Sequence, residues 1–408
     1  MTTENWISPE TAWQRLKGHC SPLEAEEVDR RTALNRVLGA PLEATVDVPP
    51  MDVSAMDGFA VSGELAAGDY LPISGVIPAG ASPDCELEAE TTMRIMTGAP
   101  VPLGADRVVP VEQTSSTEDE VLFRSGTEPG AHIRRRAEIQ ARGDLLLSAG
   151  TLLTAGGLSL LATHGIARVP VHRRPRVAFL ATGNEVVPPD QEPQPGQLRD
   201  SHTDFLLAAG LSMGIEIEPL GIAGDLKEEL REKIGVGLES DVLLIGGGVS
   251  KGDYDFVEDV LAELGCEVLF DAIAVQPGKP LVAARHPGGL VFGLPGNPAS
   301  VMAGFFLFVR PTLRRLMGLQ GGFWHGALLG ELTAPLPAAK GRDRFLTAEV
   351  EFKDGRLLVA PMSPKGSHDL GAFARGTGLV RVRANSPEAQ PGQACEFLPL
   401  ADWPSPVR

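Results

Sequence analysis

The chain has 408 residues, room for two to four domains at ~150 residues each. A hydrophobic share of 43% beside 22% charged residues excludes a disordered or fibrous chain, and 47 glycines with 34 prolines predict many tight turns and short elements. The net charge of −17 argues against duplex nucleic acid or an anionic membrane as partner, because phosphate has to be met by Lys and Arg.

In chain order, Ser8 before Pro9 and Glu10 is an N-cap followed by proline at the first helical position, with Trp13 and Leu16 at helical spacing. The string Ser21-Pro22-Leu23-Glu24 repeats that start signal, and Leu34, Val37 and Leu38 continue an apolar face, so a second helix is expected there. From Val46 to Val121 the pattern changes to short β runs at 58–61, 93–96 and 107–111, separated by Gly, Pro and Asp turns. Residues 158–164 read as a helix again. The resulting boundaries are a helical linker over 1–45 and 140–175 with an inserted β lobe over 46–139.

From Arg176 strands and helices alternate. Strands are predicted at 177–181, 215–222, 241–245, 268–270 and 290–294, and helices at 201–213, 226–234, 256–264 and 299–317. This alternation predicts a doubly wound, parallel α/β domain over 176–320, whose ligands bind at the C-terminal ends of the strands. Residues 321–408 return to short β runs and predict a small β domain. The four cysteines are widely scattered, so neither a zinc knuckle nor a redox pair is written, and single thiols fit a reducing cytoplasm. The opening residues carry no basic, apolar leader pattern, and no apolar run reaches the ~18 residues of a membrane span.

Three predicted strands end in polar or glycine-rich turns: Thr182-Gly183-Asn184-Glu185, the stretch 246–255 beginning Gly246-Gly247-Gly248, and Pro295-Gly296-Asn297-Pro298-Ala299-Ser300. Backbone amides in such turns approach an anion closely, and Ser250 and Ser300 can donate to phosphate. One turn of this kind reads equally well as an empty tight turn; three on one sheet favour anion binding. Glu185, Asp225, Asp253 and Asp255 stand on the same edge. Each is either a helix cap or, beside a phosphate, a Mg²⁺ ligand; Asp225 and Asp253 fit the cap reading, and Asp255 is the preferred ligand. Lys279, between Pro277 and Pro280, stands in a rigid turn that could aim its charge into the crevice. Taken alone, Asp57 and Thr97 mark structured turns, and Arg134-Arg135-Arg136 reads as a solvated face. The histidines show no metal-ligand spacing, with His164 and His172 read as structural or exposed.

Together the strings SAMDGFAV (54–61), MTGAPVPLGADRVVPVE (96–112), TGNE (182–185), PGQLRDS (195–201), GGGVSKGDYD (246–255), QPGKP (276–280) and GLPGNPAS (293–300) resemble the molybdopterin molybdenumtransferase family, which is related to the gephyrin E domain, over essentially the whole length. The resemblance implies a helical linker with an inserted β lobe, an α/β molybdopterin-binding domain and a C-terminal β barrel. It implies a cytoplasmic homodimer whose shared active site joins the α/β domain of one subunit to the N-terminal lobe of the other. The implied reaction takes adenylylated molybdopterin and molybdate, with Mg²⁺, to molybdenum cofactor and AMP; a molybdopterin adenylyltransferase is a candidate partner. By motif match Asp57, Thr97, Glu185, Asp255 and Lys279 take catalytic positions, and Asp225 and Asp255 take the metal. Gly247, Gly248, Ser250, Pro295, Asn297, Ser300 and Ser367 fall at cofactor-binding positions, Lys279 and Ser367 near the oxyanion.

This chain also departs from the pattern. Gln276 and Thr347 stand where many relatives carry Lys and Arg, Leu226 replaces a second acid, His202 replaces Asn, and Ala137 and Ile139 replace Gly and Asp. Two fewer cations would weaken binding of a dianion unless Arg342 or Arg344 compensates. A non-catalytic pterin-binding scaffold and a tungstate-inserting relative therefore stand as alternatives.

Overall fold

The computed structural model describes residues 6–82, 84–248, 256–363, 365–366 and 368–401. The chain divides into two compact units, Glu27–Val171 on one hand and Met1–Glu26 with His172–Arg408 on the other.

The unit Glu27–Val171 is built almost wholly from short strands. Six of them form one sheet in the order Arg107–Pro110, Gly58–Val61, Thr92–Ile95, Tyr70–Ile77, Glu120–Phe123, Thr114–Ser116. All four residues of Gly58–Val61 and of Arg107–Pro110 are buried, because one face packs on Ile77, Ile95 and Val108 and the other on Phe123, Val121 and Val109. The helix expected after Ser21-Pro22 does not form. Strand Ala25–Asp29 and a 3₁₀ turn Arg30–Thr32, capped by Asp29, occupy that place. Leu38 is buried with Ala33, Leu153, Leu161, Val169 and Val171, residues distant in sequence, so its apolar spacing reports loop residues turned inward rather than one helical face. The helix at Ala155–Thr163 forms as expected, with Thr154 as its cap.

In the other unit the central sheet has six strands: β1 (Val177–Thr182), β2 (Ile217–Ala223), β3 (Val242–Gly246), β4 (Glu267–Phe270), β5 (Val282–His286) and β6 (Gly289–Leu294). Their order is β2-β1-β3-β6-β5-β4. The first four are parallel, whereas β5 pairs antiparallel with both β6 and β4. The sheet is therefore mixed: β5 and β6 form a hairpin that the strand-helix alternation did not reveal. Period-2 alternation sends Val177, Phe179 and Ala181 to one face and Ala178 and Leu180 to the other. Helices Lys227–Gly237 and Val257–Glu263 cover the second face, and His202–Ser212 and the 298–316 segment cover the first.

Helix Pro9–Lys17, capped by Ser8, buries Ala12, Trp13 and Leu16 in the core of the first face. The long helix expected at 299–317 is two α-helices, Pro298–Gly304 and Arg310–Leu316, joined by a π-helical turn, Phe305–Val309. All five residues of that turn are apolar and buried, so no polar stripe betrays the change of pitch.

The C-terminal region closes into a five-stranded barrel, Asp343–Lys353, Arg356–Pro361, Leu328–Leu332, Ala394–Pro399 and Gly378–Val382, with the last strand returning to the first. A short strand, Val275–Gln276, pairs parallel with Asp343 and Arg344 and stitches the barrel to the loop after β4. Buried Arg381 donates to Asp343 (2.7 Å) and to Glu10 of the N-terminal helix, adding an ionic clasp between the same parts. None of the described helices is long and apolar enough to cross a membrane.

Candidate active site

The turns after β1, β2, β3 and β6 meet around a cleft of about 320 Å³ lined by Thr182, Gly183, Glu185, Asp200, His202, Asp225, Gly247, Gly248, Pro295 and Asn297. Glu185, Asp225, Gly247, Gly248, Pro295 and Asn297 thus line one cleft. Asp225 caps no helix. Its Oδ2 accepts the Asn184 N–H at 3.2 Å, and its own N–H donates to Asn184 Oδ1 at 3.1 Å. This reciprocal pair ties the β1 and β2 turns together and leaves Leu226 at the following helix's N-cap position without a side-chain cap. The helix His202–Ser212 is instead capped by buried Asp200, whose Oδ1 accepts the N–H groups of His202 (2.8 Å) and Thr203 (3.2 Å). Gly247 cannot carry a side chain: its φ is +102°, and a Cβ would lie 2.7 Å from the Thr182 carbonyl oxygen.

Sequence reasoning did not single out Asn184, Asp200 or His202. Asn184 lay inside the TGNE string and His202 was noted only as a replacement; the signal that could have found Asp200 is an Asp two residues ahead of a helix. Burial pushes the His202 imidazole below its ordinary pKa, so it stands neutral near pH 7. The described residues lining this cleft include no Lys or Arg, although three carboxylates face it.

The cations lie in an adjoining cavity of about 500 Å³, bounded by the 275–280 turn and the barrel, with Pro280 lining both spaces. Lys279, Ser300, Arg342, Arg344 and Thr347 line it. Lys279 is therefore a cavity residue and not a solvated surface lysine, whereas Gln276 is exposed at the rim. Thr347 is 2% exposed, and its Oγ1 has no hydrogen-bond partner among the described residues; the Arg344 Nε is likewise unpartnered. A buried hydroxyl and guanidinium N–H left unsatisfied in a cavity wall are groups awaiting an acceptor. Ser250, Asp253, Asp255 and Ser367 lie outside the described residues.

Asp57 and Thr97 belong to the Glu27–Val171 unit, where the fold brings them together. The Thr97 N–H and O–H both donate to Asp57 Oδ1, at 2.6 and 2.7 Å. Backbone bonds from Gly98 N–H to Ser54 O (2.8 Å) and Ser54 N–H to Ala99 O (2.9 Å) lock the two turns side by side. These two Thr97 donors, the N–H foremost, hold the exposed Asp57 carboxyl below the usual carboxylate range. The arginine run is less free than a solvated face: Arg135 pairs with Asp52 and Arg136 with Asp47.

Of the carboxylates described here, no cluster of three metal-binding side chains is preformed. Mg²⁺ shared with a phosphate is held by one or two carboxylates plus substrate oxygens and needs no protein cage. Asp225 is the described carboxylate that could take such a place.

The chain matches three family models in succession: the MoeA N-terminal region (domains I and II) over residues 7–165, the probable molybdopterin binding domain over 178–315, and the MoeA C-terminal region (domain IV) over 330–400. It is 35% identical over 394 residues to molybdopterin molybdenumtransferase 2 of Mycobacterium tuberculosis, covering 93% of this chain and 96% of that protein. It is 39% identical over 361 residues to the molybdopterin molybdenumtransferase of Nostoc sp., covering 86% and 82%. The crystal structure of a molybdopterin biosynthesis MoeA protein from Pyrococcus horikosii superimposes with a TM-score of 0.83 at 30% identity, covering 98% of this chain and all of that one. Motifs, fold and cleft agree with these likenesses, and the chain belongs to the molybdopterin molybdenumtransferase family, transferases of molybdenum cofactor biosynthesis.

Proposed function

We propose that the protein inserts molybdate into adenylylated molybdopterin and releases AMP, yielding molybdenum cofactor. The observation that carries this reading is the pairing of a cleft at the strand ends, whose described lining residues include three carboxylates and no Lys or Arg, with an adjoining cavity whose Lys279, Arg342, Arg344 and orphan Thr347 hydroxyl await an oxyanion. The pterin nucleotide lies across the strand-end turns, where Gly247 and Gly248 let the backbone approach its phosphates. Asp225 together with Asp255 would hold Mg²⁺, which when bound would offset phosphate charge and polarise the phosphoanhydride. Molybdate sits against Lys279, Arg344 and Thr347; Arg342 and Arg344 offset the cations missing at positions 276 and 347. Neutral His202 and the Glu185 side chain shape the edge of the cleft. The functional species is a cytoplasmic homodimer in which Asp57 and Thr97 of one chain join the cleft of the other, and the adenylylated substrate comes from a molybdopterin adenylyltransferase.

The test is incubation of the purified protein with adenylylated molybdopterin, Mg²⁺ and either molybdate or tungstate while AMP is followed. AMP release with molybdate is expected. No release with either oxyanion would favour a pterin-binding scaffold, and release with tungstate alone would reassign the metal.

A further inference from the structure

Most arginines bridged in this fold have a carboxylate partner: Arg173 pairs with Asp241, Arg381 with Asp343, Arg107 with Asp106, and Arg135 and Arg136 with acids of the lobe. Two cations of the 500 Å³ cavity are held differently. Lys279 Nζ lies 4.5 Å, and the Arg342 guanidinium carbon 5.4 Å, from the centroid of one ring, the indole of Trp6. Among the described residues neither cation has an ion-pair partner.

The distinction is physical. A carboxylate would position a cation and cancel its charge. An aromatic face positions it through the ring quadrupole and leaves the charge whole for an incoming anion.

Trp6 is not a loose terminal side chain. Its neighbour Ile7 accepts the Ala274 N–H at 2.8 Å, and Ser8 caps the helix that buries Trp13 and Leu16. Ala274 in turn accepts the Asp343 N–H at 2.9 Å, next to Arg342, and Ile273 donates to the Lys279 carbonyl at 3.0 Å. Three segments, carrying Trp6, Lys279 and Arg342, are thus knotted by backbone bonds at one point.

We propose that Trp6 is a positioning residue that holds Lys279 and Arg342 as an uncompensated cation pair for a tetrahedral dianion in the cavity lined by Arg344 and Thr347. The inference rests on the reading of that cavity as the oxyanion site and adds to it a residue that none of the motifs contains. An indole is the strongest natural cation–π platform, and a benzene ring keeps part of its effect while an aliphatic side chain keeps only the bulk.

The experiment uses the full-length protein and titrates it calorimetrically with sodium molybdate and with sodium tungstate. Trp6→Leu should weaken both by about 3- to 10-fold, and Trp6→Phe by less. In the AMP-release assay Trp6→Leu should raise KM for molybdate while kcat and KM for the pterin nucleotide stay close to wild type. Thr347→Val and Arg344→Leu run alongside as reporters of the cavity itself, and melting temperatures establish that each variant is folded. If Thr347→Val and Arg344→Leu weaken the oxyanion but Trp6→Leu and Trp6→Phe do not, the role of Trp6 is overturned while the cavity assignment stands. Wild-type oxyanion affinity in all four variants overturns both. An equal loss in Trp6→Leu and Trp6→Phe assigns the effect to packing and also refutes the proposal.

Discussion

Asp57 owes the lowering of its pKa chiefly to one neighbour, since Thr97 gives it both an N–H and an O–H. Thr97→Val removes the hydroxyl and keeps the N–H, so the Asp57 carboxyl should titrate at a higher pH than in wild type, read by carbon NMR of the labelled carboxylate. Because the folded value is depressed, the bond's contribution is present above the unfolded value of 3.8 and fades only as pH falls through the folded one. A pH–activity profile should therefore show no limb from Asp57 between about pH 5 and 8. Ala137 offers a different residue-scale test. It holds φ at +60°, a left-handed conformation, where the resemblance places Gly. Ala137→Gly should stabilise the protein by about 1 kcal/mol, the strain relieved being partly offset by chain entropy, and thermal denaturation measures it.

At the scale of elements, the clasp of Arg381, Asp343 and Glu10 joins the N-terminal helix to the barrel. The Arg381 and Asp343 side chains are 4% and 8% exposed, so each would be a buried uncompensated charge without the other. Arg381→Leu should cost about 3–5 kcal/mol in chemical denaturation, because Asp343 is then left unpaired in the interior. Glu10 is pushed up by partial burial but pulled further down by Arg381, so its folded value lies below 4.5. A depressed carboxyl stabilises above its unfolded value and loses that contribution as pH falls through the folded one. Between about pH 5 and 3 the wild type should therefore lose more stability than Glu10→Gln does. The elements themselves were unevenly legible. Strands β1, β3 and β6 show in the sequence because both faces are covered and all their residues but Thr182 are apolar or glycine. Strand β5 was missed because its hairpin with β6 carries His286, Pro287 and Gly288, which read only as a loop. The predicted helix after Ser21 failed because Val37 and Leu38 are turned inward, Leu38 onto partners distant in sequence, while Leu34 stays exposed, which spacing alone does not record.

For the whole molecule the proposal of a site shared by two chains makes a quantitative prediction. Asp57→Asn and Lys279→Ala should each be nearly inactive alone. Unfolded together and refolded as a mixture, half the dimers are mixed and each has one intact site, so about a quarter of wild-type AMP release should return. No recovery would place both residues in the same chain's site. A sedimentation experiment on the wild type should give twice the mass of the chain.

The sequence by itself determined which residues stand at the strand ends and the general architecture, because buried strands, glycine turns and their acids are local and each is dictated by its own few residues. The resemblance also marked Gln276 and Thr347 as positions where many relatives carry a cation. Only the tertiary structure showed which cations line the cavity beside those positions. Trp6, Lys279, Arg342, Arg344 and Thr347 come from three separated stretches that meet where Ala274 bonds both Ile7 and Asp343. No spacing rule links residues that distant, since the distances between them are fixed by sheet pairing and barrel closure and not by the order of the chain.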